Sequence, residues 1–379
     1  MPEVVVVGAG PVGLLLGAEL HRRGVDAQLL ERREAAGGGS RAIGVHAPVL
    51  AALEPSGVTE RLLSGAVRVT RGEARSGPAL LGTVRFDRLR GRFPFVATLP
   101  QSATEAALSV DGPAARRGAT VLSVRPDGAR MRLAVRHAGG AEEELHARVV
   151  VVASGAGARG LAYRTDAARA RAYPDRYLMT DTAVATDDPT AVVRLDRGGV
   201  LESFPLPGAR RRFVAWDADP DDAHPTAQRA RMRAVLAAAG EHDAAERIAS
   251  ASGFRVRRFV APRLRRGALL VVGDAAHEVS PIGGQGMNLG LLDAATLAPL
   301  LAEWVRSGSA PEAALARWEN RRVASARTAA AIASLNTSLG RPLGARADAA
   351  RRLGLRVALS PPARMLLARA YAMGLDRDA

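Results

Sequence analysis

An α/β fold is predicted for this 379-residue chain: a parallel sheet covered by helices, an inserted mixed β-sheet, and a helical C-terminal stretch. Three features predict it. Wholly apolar runs at Val4–Val7, Val149–Val152 and Leu269–Val272 read as parallel strands buried on both faces. Alternating segments separated by turn residues read as antiparallel strands. Beyond Pro311 the pattern is helical, broken at Gly340-Arg341-Pro342 and Ser360-Pro361-Pro362.

Element by element, Glu3–Val7 is the first strand, Pro11–Arg23 a helix closed by Gly24, and Ala27–Leu30 the second strand. Glu34–Ser40 is a loop and Val45–Leu53 a helix. Antiparallel strands follow within Val67–Leu99. A helix begins near Ser102 and stops near Val110, because Gly112 and Pro113 in its interior would cost about 1 and 3 kcal/mol. Val121–Val124, Met131–His137 and Glu143–His146 form a meander that leads into "RVVVVAS". Residues 173–258 read as a separate unit, with strands Val192–Leu195, Leu201–Pro205 and Arg212–Trp216 and a helix Thr226–Ala239. After the strand in Ala268–Asp274, a glycine-rich stretch opens a helix that runs to about Arg306. The expected units are 1–172 with 259–335, then 173–258, then helices over 336–379.

Composition narrows the function. Hydrophobic residues make up 47% and charged residues 24%, as in a soluble globular protein. No apolar run approaches the roughly 20 residues of a membrane span, and no basic segment precedes "VVVVGAG". A cytoplasmic protein without stable membrane insertion, monomeric or homodimeric, is expected. Cysteine is absent, which excludes disulfides, thiolate nucleophiles and Cys-ligated zinc. Lysine is absent too, which excludes Schiff-base chemistry and a P-loop. The net charge of +15 is spread along the chain and aromatic residues are only 4%, so no nucleic-acid partner is expected. A field that attracts anionic cofactors or substrates is the consequence instead.

"VVVVGAGPVGLLLGAEL" carries G-x-G-x-x-G at Gly8, Gly10 and Gly13, after a strand and opening a helix. In a Rossmann-like unit Gly8 makes the tight turn, Gly10 admits a pyrophosphate and Gly13 lets helix and strand pack. Pro11 and Val12 open the helix whose free amides face the phosphates. Glu31, eighteen residues past Gly13, ends the second strand and suits ribose hydroxyls, with Arg32 beside it. A carboxylate there repels a 2′-phosphate, which leaves FAD or NAD.

"GDAAHEVSPIGGQGMN", Gly273–Asn288, separates those two. It supplies a second strand end and a second helix start on the same sheet. One dinucleotide across both sites has its adenosine at Glu31, a ribityl chain on Asp274, and its ring near Pro281 and Gly284, Gln285, Gly286, Met287 and Asn288. A helix N-terminus at the ring stabilises negative charge, which reduced flavin carries and nicotinamide does not. The cofactor expected is FAD.

These two motifs, with "SRAIGVH" (Ser40–His46), "LPQSATEAAL" (Leu99–Leu108) and "FPLPGARRRFVAW" (Phe204–Trp216), closely resemble the FAD-dependent aromatic hydroxylases of the p-hydroxybenzoate hydroxylase type, from residue 1 to about 335. The resemblance implies a Rossmann-like FAD-binding domain with an inserted mixed β-sheet substrate domain and C-terminal helices. It implies that Arg41 and Gln101 contact the flavin and its ribityl chain, and that Pro281 and the glycines after it line the ring where oxygen reacts. The implied activity is hydroxylation or epoxidation of an aromatic or polyketide-like small molecule by O2 through a flavin C4a-hydroperoxide, with NADPH or NADH as transient reductant. Larger members carry a thioredoxin-like C-terminal domain, which this chain is expected to lack.

One family motif departs from the pattern. Where the family has "DGxxSxVR", this chain reads "GAGARGLAYR" at Gly155–Arg164, with Ala156 at the aspartate and Gly157 and Arg159 kept. That aspartate helps hold FAD and is linked to NAD(P)H handling, so two alternatives stand beside the monooxygenase: a flavin-dependent reductase or dehydrogenase, and a flavin-binding protein without redox turnover. No metal site is expected, His277 being read as shaping the turn. His46 reads as a surface histidine at a helix start, with a reach to the flavin as the alternative. Tyr163, Tyr173 and Tyr177 read as packing. The segment 350–375 reads as a helix packed on the FAD domain or at a dimer interface, with a membrane surface as the alternative. No catalytic base is assigned, because geometry must come before acidity.

Overall fold

The computed structural model describes residues 1–35, 37, 42–164, 169–219, 221–361 and 363–376. Val4–Val7 is the centre of a six-stranded sheet. It pairs in parallel with Val149–Val152 on one side and Ala27–Glu31 on the other. Leu269–Val271 and Ala115–Arg117 extend the sheet in parallel, and Arg265–Arg266 adds an antiparallel edge. Both faces of the central strand are covered, which is why four consecutive valines suit it. The Pro11–His21 helix is buried from Gly13 to Leu20 without interruption. Such a helix has no polar face to present to water, and it lies against the Gln101–Ser109 and Gly286–Ser307 helices.

An eight-stranded mixed sheet forms the second layer. Its order is His277–Glu278, Ser252–Val260, Arg171–Ala183, Arg210–Trp216, Gly199–Leu206, Ala191–Asp196, Arg71–Ser76, Ala79–Arg85. Every pairing is antiparallel except Ala191–Asp196 with Arg71–Ser76. Two of its strands therefore come from the first hundred residues. Alternate residues face opposite sides. Leu178, Leu201, Phe213 and Ala215 pack on Met232 and Leu236 of the Pro225–Ala238 helix. Tyr177, Val200 and Val214 face inward and pack on Ile282, inside the glycine-rich stretch. That contact brings the substrate-side sheet onto the second motif.

The expected strands of 191–216 and the meander of 119–147 are present, with ends shifted by up to three residues. Three strands of the eight were not anticipated, Arg171–Ala183, Ser252–Val260 and the two-residue His277–Glu278. In the first, Pro174 and Asp175 interrupt the alternation, and the pairing with Ser252–Val260 is irregular between Ala172 and Arg176. The C-terminal helices Glu312–Leu339, Ala345–Ala358 and Ala363–Tyr371 break where Pro342 and the Pro361 segment stop them. Segment 350–375 packs on the Ala79–Arg85 strand of the substrate-side sheet, and its Met373 joins the core of the parallel sheet. Leu355 joins the inner-face cluster, and Leu359 lies so close to Gly82 that a Cβ there would clash. Leu353, Val357 and Leu366 of the same segment are exposed. Among the described residues, no helix is long and apolar enough to cross a membrane.

Candidate active site

The first glycine turn separates into packing and open positions. Gly8 has φ +113°, and a Cβ on it would sit 2.6 Å from the Ala153 carbonyl oxygen. A Cβ on Gly13 would overlap the Gly8 carbonyl. Both are therefore demanded by the backbone itself. Gly10 has an ordinary φ of −81° as N-cap, and a Cβ there would meet nothing within 4 Å. It fronts open space before the helix that begins at Pro11, where the first amides have no partner within the helix. Beside this turn the buried Ser154 hydroxyl has no hydrogen-bond partner among the described residues. This cradle suits a pyrophosphate.

Glu31 closes the second strand at 5% exposure. Its Oε2 accepts the Ala9 amide at 2.8 Å, and its Oε1 accepts the Arg33 amide at 3.0 Å and Arg33 Nε at 2.9 Å. Burial works to raise this carboxyl, but the Arg33 and Ala9 hydrogen bonds and the Arg33 charge hold it below its usual range. It is thus an anion fixed at the end of its strand. The arginine in contact is Arg33; Arg32, the neighbour expected at the cofactor, is exposed.

The second turn is held from beneath. Gly273, φ +62°, donates its amide to Asp293 Oδ2 at 3.0 Å, and the same oxygen meets His277 Nε2 at 2.6 Å. Arg322 Nε donates to Asp293 Oδ1 at 2.7 Å. All three side chains are inaccessible to solvent. Burial would raise the Asp293 carboxyl, yet the His277 and Arg322 charges and hydrogen bonds bring it well below the carboxylate range. His277 therefore shapes the turn, as expected. From the opposite side Arg159 Nη2 donates to the Asp274 carbonyl at 2.8 Å and to Glu278 at 2.8 Å, with its guanidinium 4.2 Å from the Phe259 ring centre. The Asp274 side chain is left exposed at the strand end.

Past this point Gly283 and Gly284 take φ of +102° and +68°, and the Gly284 amide donates to the Pro281 carbonyl at 2.9 Å. Pro281 and Gly284 are exposed, and Gly286 starts the 22-residue helix. Met287 is half-buried against the core. The Gln285 and Asn288 side chains serve the protein. Gln285 Nε2 donates to Ala370 O at 2.9 Å. Asn288 Nδ2 donates to Gly44 O at 2.8 Å and Gly284 O at 3.1 Å, while its Oδ1 accepts the His46 amide at 2.8 Å. His46 is consequently buried at 4% exposure rather than on the surface. Burial pushes its imidazole down to about 4, partly offset by the Gly284 and Tyr371 carbonyls.

Val12 joins the two motifs. A Cβ on Gly290 would sit 2.5 Å from Val12 Cγ2, and one on Gly273 3.2 Å from it. The two glycine turns therefore meet at the carboxyl ends of two parallel strands that flank Val149–Val152. Gln101 Oε1 accepts the Ala42 amide at 3.4 Å, and Gln101 Nε2 donates to Glu105 at 2.9 Å, placing Gln101 beside the Gly44–His46 segment. Arg41 lies outside the described residues. Sequence reasoning missed Asp293 and Arg322. The available signal was an acid inside "NLGLLDAATLAPLL", a run otherwise almost wholly apolar.

A dinucleotide cradle at one end, a second helix start at the other and a substrate-side sheet above define a flavin-binding class of protein. The open Gly10 cradle, the fixed Glu31 anion, the exposed Asp274 and the exposed Pro281 and Gly284 fit FAD. The FAD binding domain family model matches residues 1–333. The chain belongs to that family, among the FAD-dependent aromatic hydroxylases, and FAD is its cofactor. It is 31% identical over 371 residues to the 6-methylpretetramide 4-monooxygenase of Streptomyces rimosus, covering 89% of this chain and 63% of that protein. It spans about three fifths of the length of the first curated relatives it matches. Among solved structures, the p-nitrophenol 4-monooxygenase of Pseudomonas putida DLL-E4 shares the fold, with a TM-score of 0.87 at 22% identity over 100% of this chain and 99% of that one. An anhydrotetracycline hydroxylase from Streptomyces rimosus matches with a TM-score of 0.77 at 26% identity, over 98% of this chain and 76% of that one.

Proposed function

We propose that this chain, loaded with FAD, is a monooxygenase that hydroxylates or epoxidises an aromatic or polyketide-like small molecule, with O2 as co-substrate and NADPH or NADH as reductant. The observation that carries this reading is the packing of Ile282, inside the second glycine turn, on the inner face of the substrate-side sheet. The flavin end of the cradle and the substrate sheet then bound the same space. The names of the relatives, monooxygenases of 6-methylpretetramide and hydroxylases of anhydrotetracycline, support the same class of reaction and substrate. They favour it over a reductase or a flavoprotein without redox turnover.

Bound FAD supplies the electron transfer and oxygen activation that no side chain here provides. The protein's contribution is placement. Gly10 and the helix starting at Pro11 receive the pyrophosphate; Glu31 takes the ribose end and disfavours a 2′-phosphate there. The amides at the start of the Gly286–Ser307 helix face the ring end and favour negative charge on it. Tyr177, Val200, Val214 and Ile282 pack together on the inner face of the sheet and limit the access of water to it.

The test is substrate-dependent consumption of NAD(P)H and O2 by the FAD-loaded protein, with an oxygen atom recovered in the product. A panel of phenols and polycyclic aromatic polyketides is the starting set. Turnover at the same rate without O2 defeats the proposal.

A further inference from the structure

Glu202 lies in the middle of the Gly199–Leu206 strand, opposite Val193 on one neighbour and Val214 on the other. It is 4% exposed, and no hydrogen bond or ion pair to it is made among the described residues. Val200 and Phe204, two residues away on either side, share its face. Val200 packs with Ile282, and Phe204 packs in the same cluster as Tyr371. The carboxylate therefore faces inward, toward the Pro281–Gly284 turn and the C-terminal segment around Tyr371.

An isolated buried carboxylate is expensive, and native structures keep such groups for a reason. The charged groups around it do not supply one. Arg212, on the same face of its neighbour strand, is bound by Asp181 at 2.6 and 2.7 Å. Arg341 is bound by Asp175 at 2.8 and 2.9 Å. On the Arg171–Ala183 strand the Tyr177 hydroxyl is also buried without a hydrogen-bond partner among the described residues. From the C-terminal helix Tyr371 donates its hydroxyl to Asn336 Oδ1 at 2.8 Å. Burial raises both tyrosines above the usual phenol range, so neither ionises near neutrality.

We propose that Glu202 is the substrate-binding acid–base group: it receives a phenolic or enolic hydroxyl of the substrate on the inner face of the sheet, opposite the Pro281–Gly284 turn. The inference rests on the monooxygenase reading and names the feature of the substrate that the site recognises. In the step, the substrate O–H bond breaks, a bond forms between that proton and a Glu202 Oε, and the electron pair stays on the ring oxygen. Nothing is oxidised. The resulting oxyanion makes the ring electron-rich, as electrophilic oxygen transfer requires. Burial lifts the carboxyl to about 8, so both of its protonation states are accessible near neutrality. A carboxylated ring is disfavoured at the same spot by like charge.

FAD-loaded wild type and Glu202→Gln are titrated with p-nitrophenol, 1-naphthol and 1,8-dihydroxyanthraquinone, and with their O-methyl ethers, from pH 6 to 9.5. Thermal melting and the flavin absorbance spectrum report folding and cofactor loading. Wild type is expected to bind at least one free hydroxyl probe about tenfold or more tightly than its ether, with a preference that changes across the pH range. Glu202→Gln is expected to lose both the preference and its pH dependence while it stays yellow and folded; Glu202→Asp is expected to restore part of the preference. The inference is overturned if the glutamine variant keeps the wild-type preference and profile, or if wild type shows no preference or binds none of the probes. A colourless protein that refuses FAD defeats the broader monooxygenase reading instead.

Discussion

Arg322 Nε meets Asp293 Oδ1 at 2.7 Å, and neither side chain reaches solvent. The pair does more than neutralise itself. Asp293 carries the Gly273 amide and His277, while Arg322 also donates to Leu289 O at 3.1 Å and to Asp376 Oδ1 at 2.9 Å. Removing one partner leaves an uncompensated charge in the interior. Arg322→Met is therefore expected to cost about 3–5 kcal/mol by denaturant unfolding of the apoprotein. A loss below about 1 kcal/mol would contradict the network. Because Asp293 is held low in the folded state, its contribution is present above about pH 4, the ordinary aspartate range, and declines as pH falls through the folded value.

Gly10 and Gly13 should respond oppositely to alanine. Gly10→Ala meets open space, so apoprotein stability should change by less than about 1 kcal/mol. FAD affinity should weaken by about tenfold or more, because the methyl occupies the phosphate approach. Gly13→Ala overlaps the Gly8 carbonyl and should cost about 1–3 kcal/mol of folding. Flavin fluorescence titration and thermal melting separate the two effects.

The His46 imidazole is depressed to about 4 by burial, from an ordinary value of 6.5. A group whose folded value is lowered stabilises the protein above its unfolded value and loses that contribution as pH falls. The window here is about pH 6.5 down to 4, and the loss is about 3 kcal/mol. His46→Gln does not titrate. Its stability gap to wild type should be constant above about pH 6.5 and narrow on acidification, read from denaturant midpoints at each pH.

Ala156 begins the short helical turn Ala156–Leu161, just after Gly155 with φ +72°. The family places an aspartate there. Ala156→Asp is expected to speed NAD(P)H-driven bleaching of bound FAD on the order of tenfold, the effect of one charged hydrogen bond worth about 1.5 kcal/mol. Stopped-flow absorbance measures it, and an unchanged rate would remove this position from reductant handling.

Most of the cradle could be read from the chain because its signals are local. Valine runs mark strands buried on both faces, and Gly8, Gly10 and Gly13 sit at fixed offsets after one of them. What escaped depends on distance along the chain. Asp293 and Arg322 are 29 residues apart, and each looks like an ordinary charge on a helix. His46 read as surface because nothing near it in sequence buries it; Asn288, 242 residues away, draws its amide in. Arg159 was visible as a retained residue, but its grip on the Asp274 carbonyl was not. The Arg171–Ala183 strand was hidden by Pro174-Asp175, which breaks the alternation a strand would show.

The Asn288 clasp on Gly44 and His46 also constrains how this protein is made. On the ribosome, the first glycine turn emerges early, yet one wall of the cleft cannot close until Asn288, more than three quarters of the way along these 379 residues, has been synthesised. Flavin capture is therefore a late event, and nascent chains must shelter their valine-rich central strand without help from the cofactor.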